Sequence, residues 1–118
     1  MTSVEELEDR QSRAAKNQSL FREINERILD LNAAFSAVTT MGEWVCECAN
    51  ESCIAPVEMS SEEYEAIRAT PRRFFVAPTD EHVWPDVEDV VARGSRYWTV
   101  EKRGVAGDLA ERADPRSP

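Results

Sequence analysis

The sequence predicts an α+β fold, with one long N-terminal helix packed on a small antiparallel sheet and two short helices beside it. Three observations carry this reading. Phe21, Ile24, Ile28, Leu31, Phe35 and Val38 recur at spacings of three and four, the period of one helix face. Trp44, Cys46 and Cys48 alternate with Glu43, Val45 and Glu47 in the manner of a strand, and residues 54–59 read as its return in a hairpin. Ser60 followed by Glu63 is a capping box, which starts a second helix.

The first helix is expected over 19–38. Ser19 can cap it, although Arg22 stands where a capping box would place Glu or Gln. Leu20 and Leu29 widen its apolar face. Such a seam suits packing on the protein's own sheet, or pairing with a second copy as a homodimer through residues 21–38. Residues 1–18 hold few large apolar groups, with Val4, Leu7 and Ala14 at loose helical spacing. They read as a flexible or loosely helical extension.

Thr39-Thr40-Met41-Gly42 ends the helical pattern, and the hairpin follows, with Pro56 marking an edge position. Tyr64 and Ile67 supply the buried side of the second helix, which Thr70-Pro71 terminates. Residues 73–77 are strand-like. The loop 78–85 carries His82 and Trp84. A third short helix is expected over 85–93, with Pro85 in its first turn, Val87, Val90 and Val91 on one face, and Gly94 at its end. Residues 95–103 make the last strand, with Trp98 and Val100 on one side and Tyr97 and Thr99 on the other. Residues 104–118, a run of Gly, Ala, charge and Pro, read as a flexible tail. The folded domain is therefore expected at 19–103. A core of this size is commonly reinforced by a metal.

The formal charge is −9, and it is unevenly spread. No Lys, Arg or His lies between Arg27 and Arg68, whereas Asp30, Glu43, Glu47, Glu51, Glu58, Glu62, Glu63 and Glu65 are all acidic. Nucleic-acid affinity is built largely from Lys and Arg contacts, so this charge argues against direct nucleic-acid binding. Arg68, Arg72 and Arg73 are the one basic cluster, read as a solvated helix end. No apolar run approaches the ~20 residues of a membrane span. The N-terminus lacks the basic start and apolar stretch of a signal peptide. A cytoplasmic setting is expected, where disulfides are disfavoured.

Three cysteines and one histidine make up the metal-seeking inventory. Cys46, Cys48 and Cys53 form C-x-C-x4-C across the hairpin, and residues i and i+2 of a strand point the same way. His82 lies in a loop able to reach a fourth corner. Thiolate and imidazole in a closed set of four are the ligands of a structural zinc ion, so Zn2+ is expected on Cys46, Cys48, Cys53 and His82. Other readings stay open: thiols buried as small apolar groups, or a redox pair at Cys46 and Cys48. Asp80, Glu81 or a water can stand in for His82. With three thiolates the loaded site carries a net charge of about −1, which makes it a poor Lewis acid. The glycines are scattered rather than gathered in a phosphate loop, and the one histidine is claimed by the metal. No catalytic site is expected.

Cys46-Glu47-Cys48 through Cys53, then Glu63-Tyr64-Glu65, Arg73-Phe74-Phe75-Val76-Ala77-Pro78, His82 and Tyr97-Trp98-Thr99-Val100-Glu101-Lys102, resemble a pattern in small uncharacterised actinobacterial proteins. The resemblance spans about residues 21–115 and implies that the three cysteines and His82 are equivalent positions. The loop 78–83 departs from the pattern, being longer and lacking its glycine. No activity comes with the resemblance. The sequence thus points to a small structural-zinc protein acting as a protein-interaction or regulatory module. The alternatives are a transcription-associated factor docking on polymerase or a basic partner, and a thiol redox sensor using the C-x-C pair. Trp44, Trp84 and Trp98 are expected to pack around the hairpin.

Overall fold

The computed structural model describes residues 18–31, 41–50, 53 and 55–116. Helix α1 runs over the described residues 18–31, followed by β1 (Gly42–Val45), β2 (Pro56–Met59), α2 (Ser61–Arg68) and β3 (Arg73–Val76). A one-turn 3₁₀ helix (Asp80–His82), β4 (Glu88–Arg93), β5 (Trp98–Lys102) and α3 (Gly104–Arg112) complete the order. The architecture is α+β, with two small antiparallel sheets. β1 and β2 form a hairpin, and β3, β5 and β4 form a three-stranded sheet with β5 in the middle.

An aromatic chain holds these layers together. Trp44 stacks on Tyr64 with ring centroids 4.4 Å apart and an angle of 13° between planes. Tyr64 meets Phe75 edge-on at 6.1 Å, and Phe75 meets Tyr97 edge-on at 6.4 Å. The chain therefore runs from the hairpin through α2 into the sheet. Such pairs add about 0.5–1.5 kcal/mol each beyond the area they bury. The Trp44 indole N–H donates to the Met59 carbonyl at 2.9 Å, so this buried ring leaves no polar atom unmet.

Helix α2 begins as expected. Ser60 accepts from the Glu63 amide at 3.1 Å, and the Glu63 side chain accepts from the Ser60 amide at 3.0 Å. Its inner face is Tyr64 and Ile67.

Helix α1 departs from its expected packing. Phe21 is buried, and Ile28 and Leu29 pack against the core, but Leu20, Ile24 and Leu31 are 56%, 39% and 62% exposed. The apolar seam is split because the buried stripe is largely polar: Gln18, Arg22 and Asn25 are each 1% exposed or less. Phe35 and Val38, the far end of the seam, lie outside the described residues, as do residues 1–17 and Ile54.

Two other segments differ from expectation. Residues 85–93 are not a helix: Glu88–Arg93 is strand β4. Val87, Val90 and Val91 satisfy a helical spacing, but β-branched side chains favour the pleated state when a partner strand is present. β5 is that partner, placing Val90 opposite Val100 and Glu88 opposite Lys102. A bulge between Val90 and Ala92 leaves Val91 as the extra, exposed residue, so the three valines do not share one face. Residues 104–112, expected as tail, form α3, which buries Ala106, Gly107 and Ala110. Small residues are what this contact needs. A Cβ at Gly107 would stand 3.0 Å from the Lys102 carbonyl oxygen and 1.9 Å from a nitrogen of Arg72. Gly104 opens the helix in the left-handed region, at φ 53°.

The expected solvated basic cluster is paired instead. Arg68 is buried against Asp114 and Glu26, Arg72 binds Asp108 and Glu111, and Arg73 binds Glu101. Arg116 adds bonds to Glu26 and Glu65. These pairs tie residues 108–116 to α1, α2 and the start of β3.

Glu63 also binds Arg96 and accepts from the Tyr97 hydroxyl. The Arg96 guanidinium holds the Glu63 carboxyl at about 2, below its ordinary 4.5. A lowered carboxylate value stabilises the fold above the unfolded value and stops doing so as pH falls through the folded one. Glu63→Gln keeps a cap acceptor and loses the charge. Urea midpoints of wild type should therefore drop more between about pH 5 and pH 2 than those of Glu63→Gln. Ser60→Ala should cost about 1 kcal/mol in the same assay.

Candidate metal centre

β1 ends at Val45, and the chain then threads between the two sheets. The Cys46 amide donates back across the hairpin to the Ala55 carbonyl at 3.1 Å. The next amide, that of Glu47, donates the other way, to the Phe75 carbonyl of β3 at 2.9 Å. Residues 46–48 therefore do not continue a strand with one buried and one solvent face. Cys46, Glu47 and Cys48 are all buried. The Cys53 amide closes a turn onto the Asn50 carbonyl at 3.0 Å, which returns the third thiol toward the first two.

The fourth group comes from the segment that follows β3. After β3 the 3₁₀ turn is held by bonds from the His82 amide to the Thr79 carbonyl and from the Val83 amide to the Asp80 carbonyl. This turn places the His82 Nδ1 3.6 Å from both the Cys46 and Cys53 sulfurs. The four ligand atoms of Cys46, Cys48, Cys53 and His82 all lie within 4.8 Å of one another. All four residues expected from the sequence are brought together, positioned to hold a metal ion. Asp80 and Glu81, the alternative donors, are exposed and lie outside the cluster.

The donors suit a cation electrostatically. Hydrogen bonding from Cys46 brings the Cys48 thiol down to about 5, against the opposing effect of burial. The reciprocal bond and burial push Cys46 up, and burial raises Cys53. Three thiolates packed this closely need a positive charge between them. The Ala77 amide also donates to the Cys46 sulfur at 3.2 Å.

Three residues around the cluster were not singled out by sequence reasoning. Glu47, between two ligands and fully buried, accepts from Arg22 Nη2 at 2.9 Å, Asn25 Nδ2 at 3.1 Å and the Phe75 amide at 3.3 Å. Asn25 also donates to the Val45 carbonyl at 2.8 Å and accepts from the Val45 amide at 2.9 Å. Arg22 stacks over the Phe74 ring at 3.8 Å and donates to the Arg73 carbonyl. The negative charge that Glu47 brings beside the thiols is compensated by Arg22. The available signal was the i, i+4, i+7 spacing of Gln18, Arg22 and Asn25, which puts three polar residues on one helix face.

A second buried pair lies nearby. Glu88 and Lys102 are ion-paired with both side chains fully buried, and Gln18 and the Trp84 amide donate to Glu88 at 3.0 Å. Trp44 is core as expected, while Trp84 and Trp98 are half-buried. Among the described residues no helix is long and apolar enough to cross a membrane. The chain matches no family model, no curated protein and no solved structure.

Removing one side of a buried ion pair leaves the other charge uncompensated. Glu47→Ala should therefore destabilise the metal-loaded protein by about 3–5 kcal/mol in chemical denaturation. A cost under about 1 kcal/mol would show that the Arg22 contact contributes little.

Proposed function

We propose that this chain is a small structural-zinc module, built for protein contact or regulation. The observation that carries the metal is the closed set of four protein donors. With Zn–S near 2.3 Å and Zn–N near 2.05 Å, a tetrahedral site has a sulfur–nitrogen edge of about 3.6 Å. That is the separation found between His82 Nδ1 and the Cys46 and Cys53 sulfurs. All four donor atoms lie within 4.8 Å of one another, close enough to share one ion. Metal at Nδ1 needs a neutral ring with its proton on Nε2. Four protein ligands leave no open position for substrate, and three thiolates damp the ion's Lewis acidity. Both points support a structural rather than a catalytic role.

Two surface features support protein contact. Leu20, Ile24 and Leu31 line the outer face of α1, a stripe that suits an apolar surface of another protein or a second copy. Carboxylates already occupy Arg68, Arg72 and Arg73, which speaks against their use on nucleic-acid phosphates. A cytoplasmic, reducing setting keeps the thiols available to the metal.

Native mass spectrometry of the purified protein should show one zinc per chain, together with the subunit number. Chelation should lower the melting temperature and erase the near-ultraviolet signal of Trp44, because metal binding and folding are one equilibrium in small sites. Metal-free protein with an unchanged melt would overturn the reading.

A further inference from the structure

We infer that docking of α1 and metal binding form one linked equilibrium, with Glu47 as the joint and Arg22 and Asn25 as positioning residues for the Cys46–Cys48 segment. This rests on the metal reading above and names what regulates that site.

The geometry is specific. Asn25 brackets Val45, one residue before the first ligand, with a bond to its amide and another to its carbonyl. Arg22 and Asn25 together hold the carboxylate of Glu47, the residue between two ligands. The same carboxylate bonds the Phe75 amide, and the Glu47 amide bonds the Phe75 carbonyl. Two successive backbone units that aim thiols at the metal are thus set by α1 on one side and β3 on the other. Gln18 is the other buried polar residue of α1, and it reaches Glu88 rather than this segment.

Linkage is reciprocal: whatever orders the 45–48 segment favours the metal, and the metal in turn favours the docked helix. Groups that orient ligands without touching the ion typically change metal affinity by about 10- to 100-fold. α1 is therefore a regulator of the site, and any partner that pulls this helix away would loosen the ion.

The test compares Zn2+ affinity, by competition with a chromogenic chelator, across wild type, Asn25→Ala, Arg22→Lys and Ser60→Ala. The last removes the α2 cap, whose bonds run between Ser60 and Glu63 rather than to α1 or the cluster, and controls for lost stability away from the metal. The same proteins loaded with Co2+ report ligand geometry through their ligand-field and sulfur charge-transfer bands. Asn25→Ala and Arg22→Lys should bind Zn2+ about 10- to 100-fold more weakly, with shifted cobalt bands. Ser60→Ala should lose only what its lower stability accounts for and keep the wild-type spectrum. If Arg22→Lys does not fold, Asn25→Ala decides alone. An unchanged cobalt spectrum in Asn25→Ala, with Zn2+ loss no greater than in Ser60→Ala, overturns the inference. A wild type that takes up no metal sinks the metal reading itself. A wild type that loads normally beside variants of equal affinity sinks only the linkage.

Discussion

The fold depends on a few peptide units, Val45 to Glu47, that are bonded to three different elements. The hairpin holds Cys46, the sheet holds Glu47 by its amide, and α1 holds Glu47 by its carboxylate. A short segment that satisfies three elements at once cannot shift toward one without breaking bonds to the others. That constraint is what sets two sulfurs facing the same point. The Glu47–Arg22 pair sits fully out of water, where an unmatched charge is costly, so the segment has one acceptable register. The structure thus spends buried polar groups on specificity where a small apolar core supplies little of it.

Charge elsewhere is arranged on the same plan. The chain is strongly acidic, yet Arg22, Arg68, Arg72, Arg73, Arg96 and Arg116 are gathered onto carboxylates. Glu26 on α1 receives the Tyr64 hydroxyl and the guanidiniums of Arg68 and Arg116. Burial works against its ionised form, but these donors hold its carboxyl below the ordinary value. The segment after β5 is fixed through such contacts, since Asp114 and Arg116 reach back to α1 and α2. Exposed pairs of this kind contribute little singly, and their effect here comes from joining into one network.

Much of the site was legible in the residues because metal chemistry restricts ligand types so sharply. Cys46, Cys48, Cys53 and His82 were the whole supply of soft donors, and spacing placed three of them on one hairpin. The capping box at Ser60 was legible for a similar reason, since it is a local hydrogen-bond pattern needing no tertiary partner. What escaped was non-local. The strand nature of 88–93 depends on pairing with β5, which the valine spacing alone does not reveal. The burial of Arg22, Asn25 and Glu47 depends on their finding one another across 22 to 25 residues. Helix α3 escaped because Ala106, Gly107 and Ala110 bury so little area that their pattern resembles a solvated tail, although Gly107 is what lets the helix approach the Lys102 carbonyl closely.

One edge of the three-stranded sheet carries a hidden liability. β3 is an outer strand, and Phe74-Phe75-Val76 is an uncharged, strongly β-forming run. Its outward amide and carbonyl at Phe75 are occupied by Glu47, and the Ala77 amide by the Cys46 sulfur. The cysteine loop thereby serves as a cover over a strand that would otherwise template intermolecular pairing. Arg72-Arg73 on one flank and Pro78 on the other are the kind of residues that restrain such pairing when the cover lifts. The segment that presents the thiols therefore guards solubility as well as shape, and a variant whose residues 46–47 came loose from β3 would be lost first to precipitation.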